Sequence, residues 1–201
     1  SWLQFNERVL QLAADENGKL TAIRVRLIGD MGAYLQLVAP GVPLLGAFLY
    51  AGVYELPMGT TLREIIYTHC GGIRGGRKLK AIIPGGASTP ILTEQHLDVK
   101  MDFNSLVTAG SMLGSGAVMV MDETVNLVNV AYILVRFFAH ESCGKCTPCR
   151  EGTSWLYQVY KRLMHGEGKP EDIDLLLYIC DTVKGKCFCP LGEGAIQPVL
   201  S

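Results

Sequence analysis

The chain has 201 residues, of which 49% are hydrophobic and 18% are charged, which is enough apolar surface for a folded core and excludes a largely disordered chain. Eighteen Lys and Arg residues against nineteen Asp and Glu residues give a net charge of -1, which excludes the basic field that attracts nucleic acid or an anionic membrane. Seven cysteines, an odd number, favour metal ligation in a reducing compartment over a small secreted domain held by disulfides.

The first predicted element is a β-hairpin with arms Arg8–Ala14 and Leu20–Ile28. Asn17-Gly18 is the turn signal between the arms. The stretch from Met31 to Tyr54 has no charged residue and is long enough to span a bilayer. Its prolines and glycines would break the backbone bonding of a spanning helix, so a buried loop or extended region is expected there.

The next predicted unit has the order strand, helix, strand. Val53–Leu56 is expected to be extended, and Thr61 with Glu64 has the spacing of a helix capping box. A glycine-rich loop at Gly71–Gly76 precedes the strand Leu79–Ile83. The loop lacks the Lys-Ser/Thr ending of a phosphate-binding loop, so we expect a solvated loop or a contact with a partner.

The second half of the chain is expected to be mostly helical. A buried strand is predicted at Ala117–Met121, and a domain boundary near residue 122. Apolar patterning then predicts three helices: Val125–Phe138, Trp155–Leu163 and Ile173–Val183. These helices are expected to form a small bundle.

The strongest chemical signal is the string ESCGKCTPCR at residues 141–150. It places three cysteines at C-x2-C-x2-C spacing: Cys143, Cys146 and Cys149. One short loop can then wrap three thiolates around a single centre, which suits three corners of a [4Fe–4S] cubane. A fourth thiolate must come from elsewhere, and the candidates are Cys180, Cys187 and Cys189.

Other residues of the string fit the same chemistry. Gly144 relieves crowding where the loop turns, and Lys145 and Arg150 place positive charge beside the thiolates. Positive charge and backbone N–H donors near the sulfurs raise a cluster's reduction potential. A helix beginning near Cys149 would add its N-terminal amides.

Three other interpretations stay open on spacing alone: a structural zinc site, a redox disulfide between Cys143 and Cys146, and metal-free thiols. Zinc sites usually combine two separated C-x2-C pairs, and a disulfide leaves Cys149 unexplained. Cys180 lies in an apolar helical stretch, where a packed thiol is the more common role. His140 is interpreted as a histidine favoured by the helix dipole.

Longer strings carry a family resemblance. They include GVYELPMGTTLREIIY at 52–67, GGIRGGRKLKAIIPGGASTPIL at 71–92, AGSMLGSGAVMVMDE at 109–123 and, most specifically, ESCGKCTPCREG. From about residue 52 onward the chain resembles the NADH-binding F-type flavoprotein subunit of complex I, NADH:quinone oxidoreductase. The same module occurs in NAD-linked hydrogenases and formate dehydrogenases.

The residue patterns predict an α+β fold class that begins with a β-hairpin segment. The resemblance implies that a small soluble-ligand-binding β-grasp unit follows, and then an α-helical bundle that carries an iron–sulfur cluster. The expected domains are 1–51, 52–121 and 122–201. In the family the last cysteine follows Gly-Lys-x-x and precedes x-Leu-Gly, which matches GKCFCPLGE. The implied ligands of the [4Fe–4S] cluster are therefore Cys143, Cys146, Cys149 and Cys189.

The function implied by the resemblance is electron transfer as a subunit or fragment of an NADH dehydrogenase. The family's FMN- and NADH-binding segments have no counterpart in this sequence, so FMN and NAD are expected only in a complete parent protein or partner. The chain alone is then not expected to be catalytic. Other subunits of the complex are the expected partners, without nucleic acid or direct membrane insertion. The expected localisation is cytoplasmic, at most peripheral on the inner face of the membrane.

The N-terminal part has a second resemblance. The string GKLTAIRVRLIGDMGAYLQLVAPGVPLLGAFLYAGVY at residues 18–54 resembles a segment of the large subunit of aerobic carbon monoxide dehydrogenase. That family's cysteine-bearing active-site loop is absent, so no molybdenum cofactor is predicted. The alternatives to electron transfer are a partner-binding module with a structural cluster and a non-functional chimeric fragment.

Overall fold

The computed structural model describes the backbone of residues 6–14 and 20–29 and all of residues 52–201. The chain divides into two compact units, Ser1–Gln36 and Leu37–Ser201. In the first unit, β1 (Asn6–Ala14) pairs antiparallel with β2 (Leu20–Gly29). The two arms of the predicted hairpin are therefore confirmed. The turn at Asn17-Gly18 and the uncharged stretch up to residue 51 lie outside the described residues.

The predicted helix start at Thr61 is present, but the helix that follows is of a different type. The amide N–H of Thr61 donates to Oε2 of Glu64 at 3.0 Å, and the amide of Glu64 donates to Oγ1 of Thr61 at 3.2 Å. This reciprocal pair is the capping box that the spacing predicts. The turn that follows, Glu64–His69, is a π-helix, in which the amide of Cys70 donates to the carbonyl of Ile65 five residues earlier.

The predicted strand at Val53–Leu56 is wrong. Residues 52–57 lie in no strand, and Val53 is 99% exposed. The pairing forms further along the chain instead, where the amide of Gly59 donates to the carbonyl of Met101 and the amide of Leu62 donates to the carbonyl of Val99.

A two-stranded antiparallel sheet lies at the centre of the second unit. Strand β3 (Leu79–Ile83) coincides with its prediction, and it pairs with β4 (Met119–Asp122), which starts two residues later than predicted. On one face, Ile82 and Val120 pack into a cluster with the buried residues of the first part of the unit. On the other face, a second cluster is formed by Ala81, Ile83, Met121 and Val130.

Val130 belongs to the first long helix, so the sheet contacts both halves of the unit. The sequence boundary near residue 122 thus coincides with the end of β4, yet buried side chains pack across it. A further short helix, α1 (Phe103–Thr108), is capped by Asp102, whose Oδ1 accepts the amide N–H of Ser105 at 2.7 Å. Sequence patterning does not predict this helix.

Four helices form the remainder: α2 (Leu127–Glu141), α3 (Thr147–Met164), α4 (Asp172–Val183) and α5 (Leu191–Leu200). Their common core contains fully buried side chains from every helix: Val135, Leu156, Val183 and Ile196. Helix α3 starts about two turns earlier than its apolar stretch predicts, and α5 has no counterpart among the predicted helices. No helix in residues 52–201 is long and apolar enough to cross a membrane.

A bidentate ion pair joins the end of α3 to the start of α4. The guanidinium of Arg162 donates to both carboxylate oxygens of Asp172, and the amide of Lys169 donates to Oδ2 at 2.8 Å. The Arg162 hydrogen bonds, followed by the Lys169 amide, hold the pKa of Asp172 below its usual value. Only 3% of the Asp172 side chain is exposed.

We expect Asp172→Asn to destabilise the protein at pH 7 and to have a progressively smaller effect as the pH falls below about 3.9. A carboxyl whose pKa is lower in the folded state stabilises it fully above the unfolded pKa of about 3.9. That contribution is lost as the pH falls through the lower folded pKa. Thermal unfolding of wild type and variant between pH 3 and 7 measures this, and an equal loss of Tm at all pH values would contradict it.

Candidate metal centre

The C-x2-C-x2-C string forms the connection from α2 to α3. Helix α2 ends at Glu141, and Gly144 adopts a φ of +78°, a left-handed conformation that favours glycine. Cys146 is the N-cap of α3, and Cys149 lies within its first turn. The predicted position of Cys149 at a helix start is confirmed. The amides at the start of α3 add partial positive charge beside the thiols.

The three thiols of this loop differ in exposure. Cys143 is exposed, Cys146 is partly exposed, and Cys149 is buried. The Cys149 sulfur lies 3.4 Å from Oγ of Ser142. Along the loop, the cysteines therefore become progressively more buried from Cys143 to Cys149.

A second cysteine-bearing loop lies against the first. It connects α4 to α5 and contains Cys187, Phe188 and Cys189. The amide N–H of Phe188 donates to the Cys146 sulfur at 3.4 Å, although the two residues are 42 positions apart in the chain. This contact places Cys189, the neighbour of Phe188, beside the first loop.

Cys187 and Cys189 have different surroundings. The Cys187 thiol donates to the carbonyl oxygen of Val183 at 3.7 Å and packs against the helical core. Burial and then the nearby sulfurs of Cys149 and Cys146 raise the pKa of Cys187. Cys189 is exposed. Cys187 therefore lies on the core side of the loop and Cys189 on its outer side.

Cys180 differs from the loop cysteines in its surroundings. It is 1% exposed in the helical core, and burial raises its pKa to about 11. A thiol with a raised pKa is a poor ligand and nucleophile. The interpretation of Cys180 as a packed thiol agrees with this burial.

The two cations of the first loop make different contacts. Nζ of Lys145 lies 5.7 Å from the centroid of the Phe188 ring. The Arg150 guanidinium donates to the carbonyl of Gly144 at 2.6 Å and to Oε1 of Glu151 at 2.8 Å. Arg150 thus braces the turn, and Glu151 offsets part of its charge. The sequence alone assigns both cations one role, because neither contact is visible from spacing.

His140 is in the last turn of α2, as predicted, and its Nδ1 lies 3.0 Å from Oε1 of Glu141. The seven cysteines, all within residues 52–201, form no disulfide. Across the described residues, no three or more His, Cys, Asp or Glu side chains are arranged to hold a single metal ion.

The residues present fit an iron–sulfur cluster by the chemistry of their donors. Thiols from two touching loops would supply soft sulfur ligands, and helix amides and a lysine would supply charge of the opposite sign. The oxygens hydrogen-bonded to these thiols come from the Ser142 hydroxyl and the Val183 carbonyl, and neither carries a charge. Soft thiolate sets select iron–sulfur clusters or zinc over magnesium or calcium.

Two family models match the chain. Residues 129–201 match the iron-sulfur binding region of NADH-ubiquinone oxidoreductase-F, and residues 42–120 match the SLBB domain. The resemblance of residues 18–54 to carbon monoxide dehydrogenase is not supported by either model.

Relatives and solved structures point the same way. The F subunit of NADH-quinone oxidoreductase from Mycobacterium tuberculosis (strain H37Rv) is 53% identical over 150 residues, which cover 75% of this chain and 34% of the relative. The corresponding protein of Escherichia coli (strain K12) is 48% identical over 151 residues, covering 75% and 34%. The crystal structure of NAD+-reducing [NiFe]-hydrogenase in the H2-reduced state superposes with a TM-score of 0.67 at 29% identity, over 77% of this chain and 26% of that chain. The chain spans about a third of the length of these curated relatives.

Proposed function

Over its C-terminal three quarters the chain resembles the F subunit of NADH-quinone oxidoreductase, and on that premise we propose that it transfers electrons through a [4Fe–4S] cluster as a fragment of an NADH dehydrogenase. The observation that carries the proposal is the contact between the two cysteine loops, where the Phe188 amide meets the Cys146 sulfur. It joins the C-x2-C-x2-C thiols to the segment with the fourth cysteine. When bound, the cluster supplies one-electron redox chemistry.

The ligands in this proposal are Cys143, Cys146, Cys149 and Cys189. The family resemblance at GKCFCPLGE selects Cys189 rather than Cys187, whose thiol donates to the Val183 carbonyl. The protein contributes the positions of the sulfurs, the positive charge beside them and the shielding of the buried Cys149 corner. Bond-making chemistry is not required of this chain.

The proposal also assigns two domains, and the first of them is based on the match to the SLBB domain. Residues 52–121 form a β-grasp domain and 122–201 a helical cluster domain. The small sheet β3–β4, with the bridge between Ile82 and Leu92, supports the first assignment.

The partners are other subunits of an NADH dehydrogenase-type complex, which would hold this chain at the inner face of the membrane. FMN and NAD belong to a complete parent protein or a partner.

The test is iron and sulfide analysis of anaerobically reconstituted full-length chain, with an EPR spectrum after dithionite reduction. About four iron and four sulfide ions per chain, with an EPR signal that appears on reduction and disappears on reoxidation, are expected. Zinc, or no metal, would overturn the proposal. A cluster that dithionite cannot reduce would favour the alternative, a partner-binding module with a structural cluster.

We expect Cys189→Ser to lose most of the bound iron and Cys187→Ser to retain it. The two positions share one loop, so the pair is a matched comparison for local disturbance. Cys187 packs on the helical core, so its replacement by serine is expected to cost stability of about 1 kcal/mol without loss of a ligand. Iron content and Tm separate the two effects. Loss of iron from Cys187→Ser alone would reverse the ligand assignment.

A further inference from the structure

The exposed ring of Phe188 is a feature that electron transfer through four cysteines does not explain. Phe188 is 89% exposed, whereas an apolar ring of this size is usually buried when the fold permits. It lies between Cys187 and Cys189 and contacts two residues of the first loop. Its amide N–H donates to the Cys146 sulfur, and its ring lies under the ammonium of Lys145.

These two contacts converge on one corner of the site. Lys145 is the neighbour of Cys146 in sequence, and Phe188 contacts both residues, with its ring at the Lys145 ammonium and its amide at the Cys146 sulfur. An exposed lysine is otherwise free to adopt many rotamers, and a cation over an aromatic face is attracted by the electrons of the ring. The ring therefore restricts where that positive charge resides.

We propose that Phe188 is a positioning residue that raises the reduction potential of the cluster, through its amide at the Cys146 sulfur and through its ring, which holds the ammonium of the adjacent Lys145 at the cysteine loops. This inference rests on the proposed function, because it concerns the one-electron reduction of a bound cluster. Reduction adds one negative charge to the cluster. An N–H donor and an ammonium near a ligand sulfur stabilise that added charge.

Arg150 does not share this role. Its guanidinium is engaged by the Gly144 carbonyl and by Glu151, whose carboxylate offsets its charge. Within the part of the chain that the structure describes, no side-chain carboxylate forms an ion pair with Lys145. Of the two cations of the first loop, Lys145 is therefore the one whose charge is not offset by a carboxylate.

The test is a redox titration of the reconstituted full chain with EPR detection. Phe188→Leu and Lys145→Met are each expected to lower the reduction equilibrium constant about threefold, the equivalent of about 28 mV at 59 mV per tenfold change. The double variant is expected to have the same reduction potential as Lys145→Met alone, because the Phe188 ring acts on the cluster through the lysine. Added salt should shrink the effect, since the charge is exposed.

Matched controls are Phe103→Leu and Lys100→Met, an exposed phenylalanine and an exposed lysine in the first part of the unit. Neither is expected to change the potential. Equal potentials for wild type and Phe188→Leu, with full iron content, would overturn the inference and leave the proposed function intact. Absence of a cluster from the wild type would instead overturn the proposed function.

The amide contact has its own measurement. In protein labelled with 15N-phenylalanine, pulsed EPR of the reduced cluster is expected to detect a 15N coupling from the Phe188 amide. Phe188→Leu removes that label while it leaves a backbone N–H in place. A spectrum identical in the labelled wild type and the labelled variant would contradict the hydrogen bond to Cys146.

Discussion

Replacing Cys146 by serine is expected to abolish stable cluster binding. Cys146 is the N-cap of α3, the middle cysteine of the first loop, and the residue that the second loop contacts through the Phe188 amide. Loss of its sulfur removes both a ligand and the acceptor that joins the loops. The loss of affinity should exceed the roughly 10–100-fold penalty for removing a residue that only supports a metal ligand. Iron analysis and the visible absorption of the reconstituted protein measure it.

Cys180→Ser is the control for this experiment. Cys180 is also a cysteine of the helical part, but it is 1% exposed within the core, and its raised pKa makes it a poor ligand. Its replacement buries a hydroxyl in place of a thiol and should cost about 1–3 kcal/mol of stability while iron content stays at the wild-type level. Equal loss of iron from both variants would show that the Cys146 effect is one of folding.

Gly85→Ala is expected to destabilise the second unit strongly, because the added methyl group would overlap backbone atoms. A Cβ at Gly85 would lie 2.2 Å from the carbonyl oxygen of Leu113 and 2.8 Å from that of Met112. No side-chain rotation relieves an overlap with the backbone. The amide of Ser115 also donates to the Gly85 carbonyl at 2.9 Å, which fixes this crossing. We expect a loss of about 3 kcal/mol or more, measured by urea unfolding.

Gly59→Ala is the matched control. Gly59 has a φ of +93°, but no atom lies within 4 Å of the position of its Cβ. The control therefore carries only the backbone cost of a positive φ, about 1–2 kcal/mol. At Gly85 the cost comes from the overlap instead. If Gly85→Ala were no more destabilising than Gly59→Ala, the two segments would not cross as closely as the structure describes.

Local sequence signals predict the elements that local physics determines. Alternation, turn residues and caps all act within a few positions of the chain. They predict the hairpin arms, β3, the Thr61–Glu64 capping box and the start of α4. The C-x2-C-x2-C loop belongs to the same class, because three thiolates on one short segment can converge without help from the rest of the fold. The spacing of the three cysteines was therefore enough to propose them as ligands of one centre.

Helix α5 shows where local signals fail. Its sequence LGEGAIQPVL contains two glycines and a proline, all of which disfavour helix formation. The structure gives the glycines a packing reason: a Cβ at Gly192 would lie 2.7 Å from the Cys187 sulfur, and one at Gly194 would lie 2.9 Å from Cβ of Ser88. Close packing against two other segments compensates for the low propensity, and no local pattern reveals that.

The sequence by itself determined the three-cysteine loop and the resemblance of the chain from residue 52 onward, because both depend on residue type and spacing. Only the tertiary structure decided which segments meet across long separations. It placed Phe188 on Cys146, Arg150 on the Gly144 carbonyl and Cys187 against Val183. Such contacts depend on how helices pack around a shared core, where the buried area summed over many residues outweighs any single local preference.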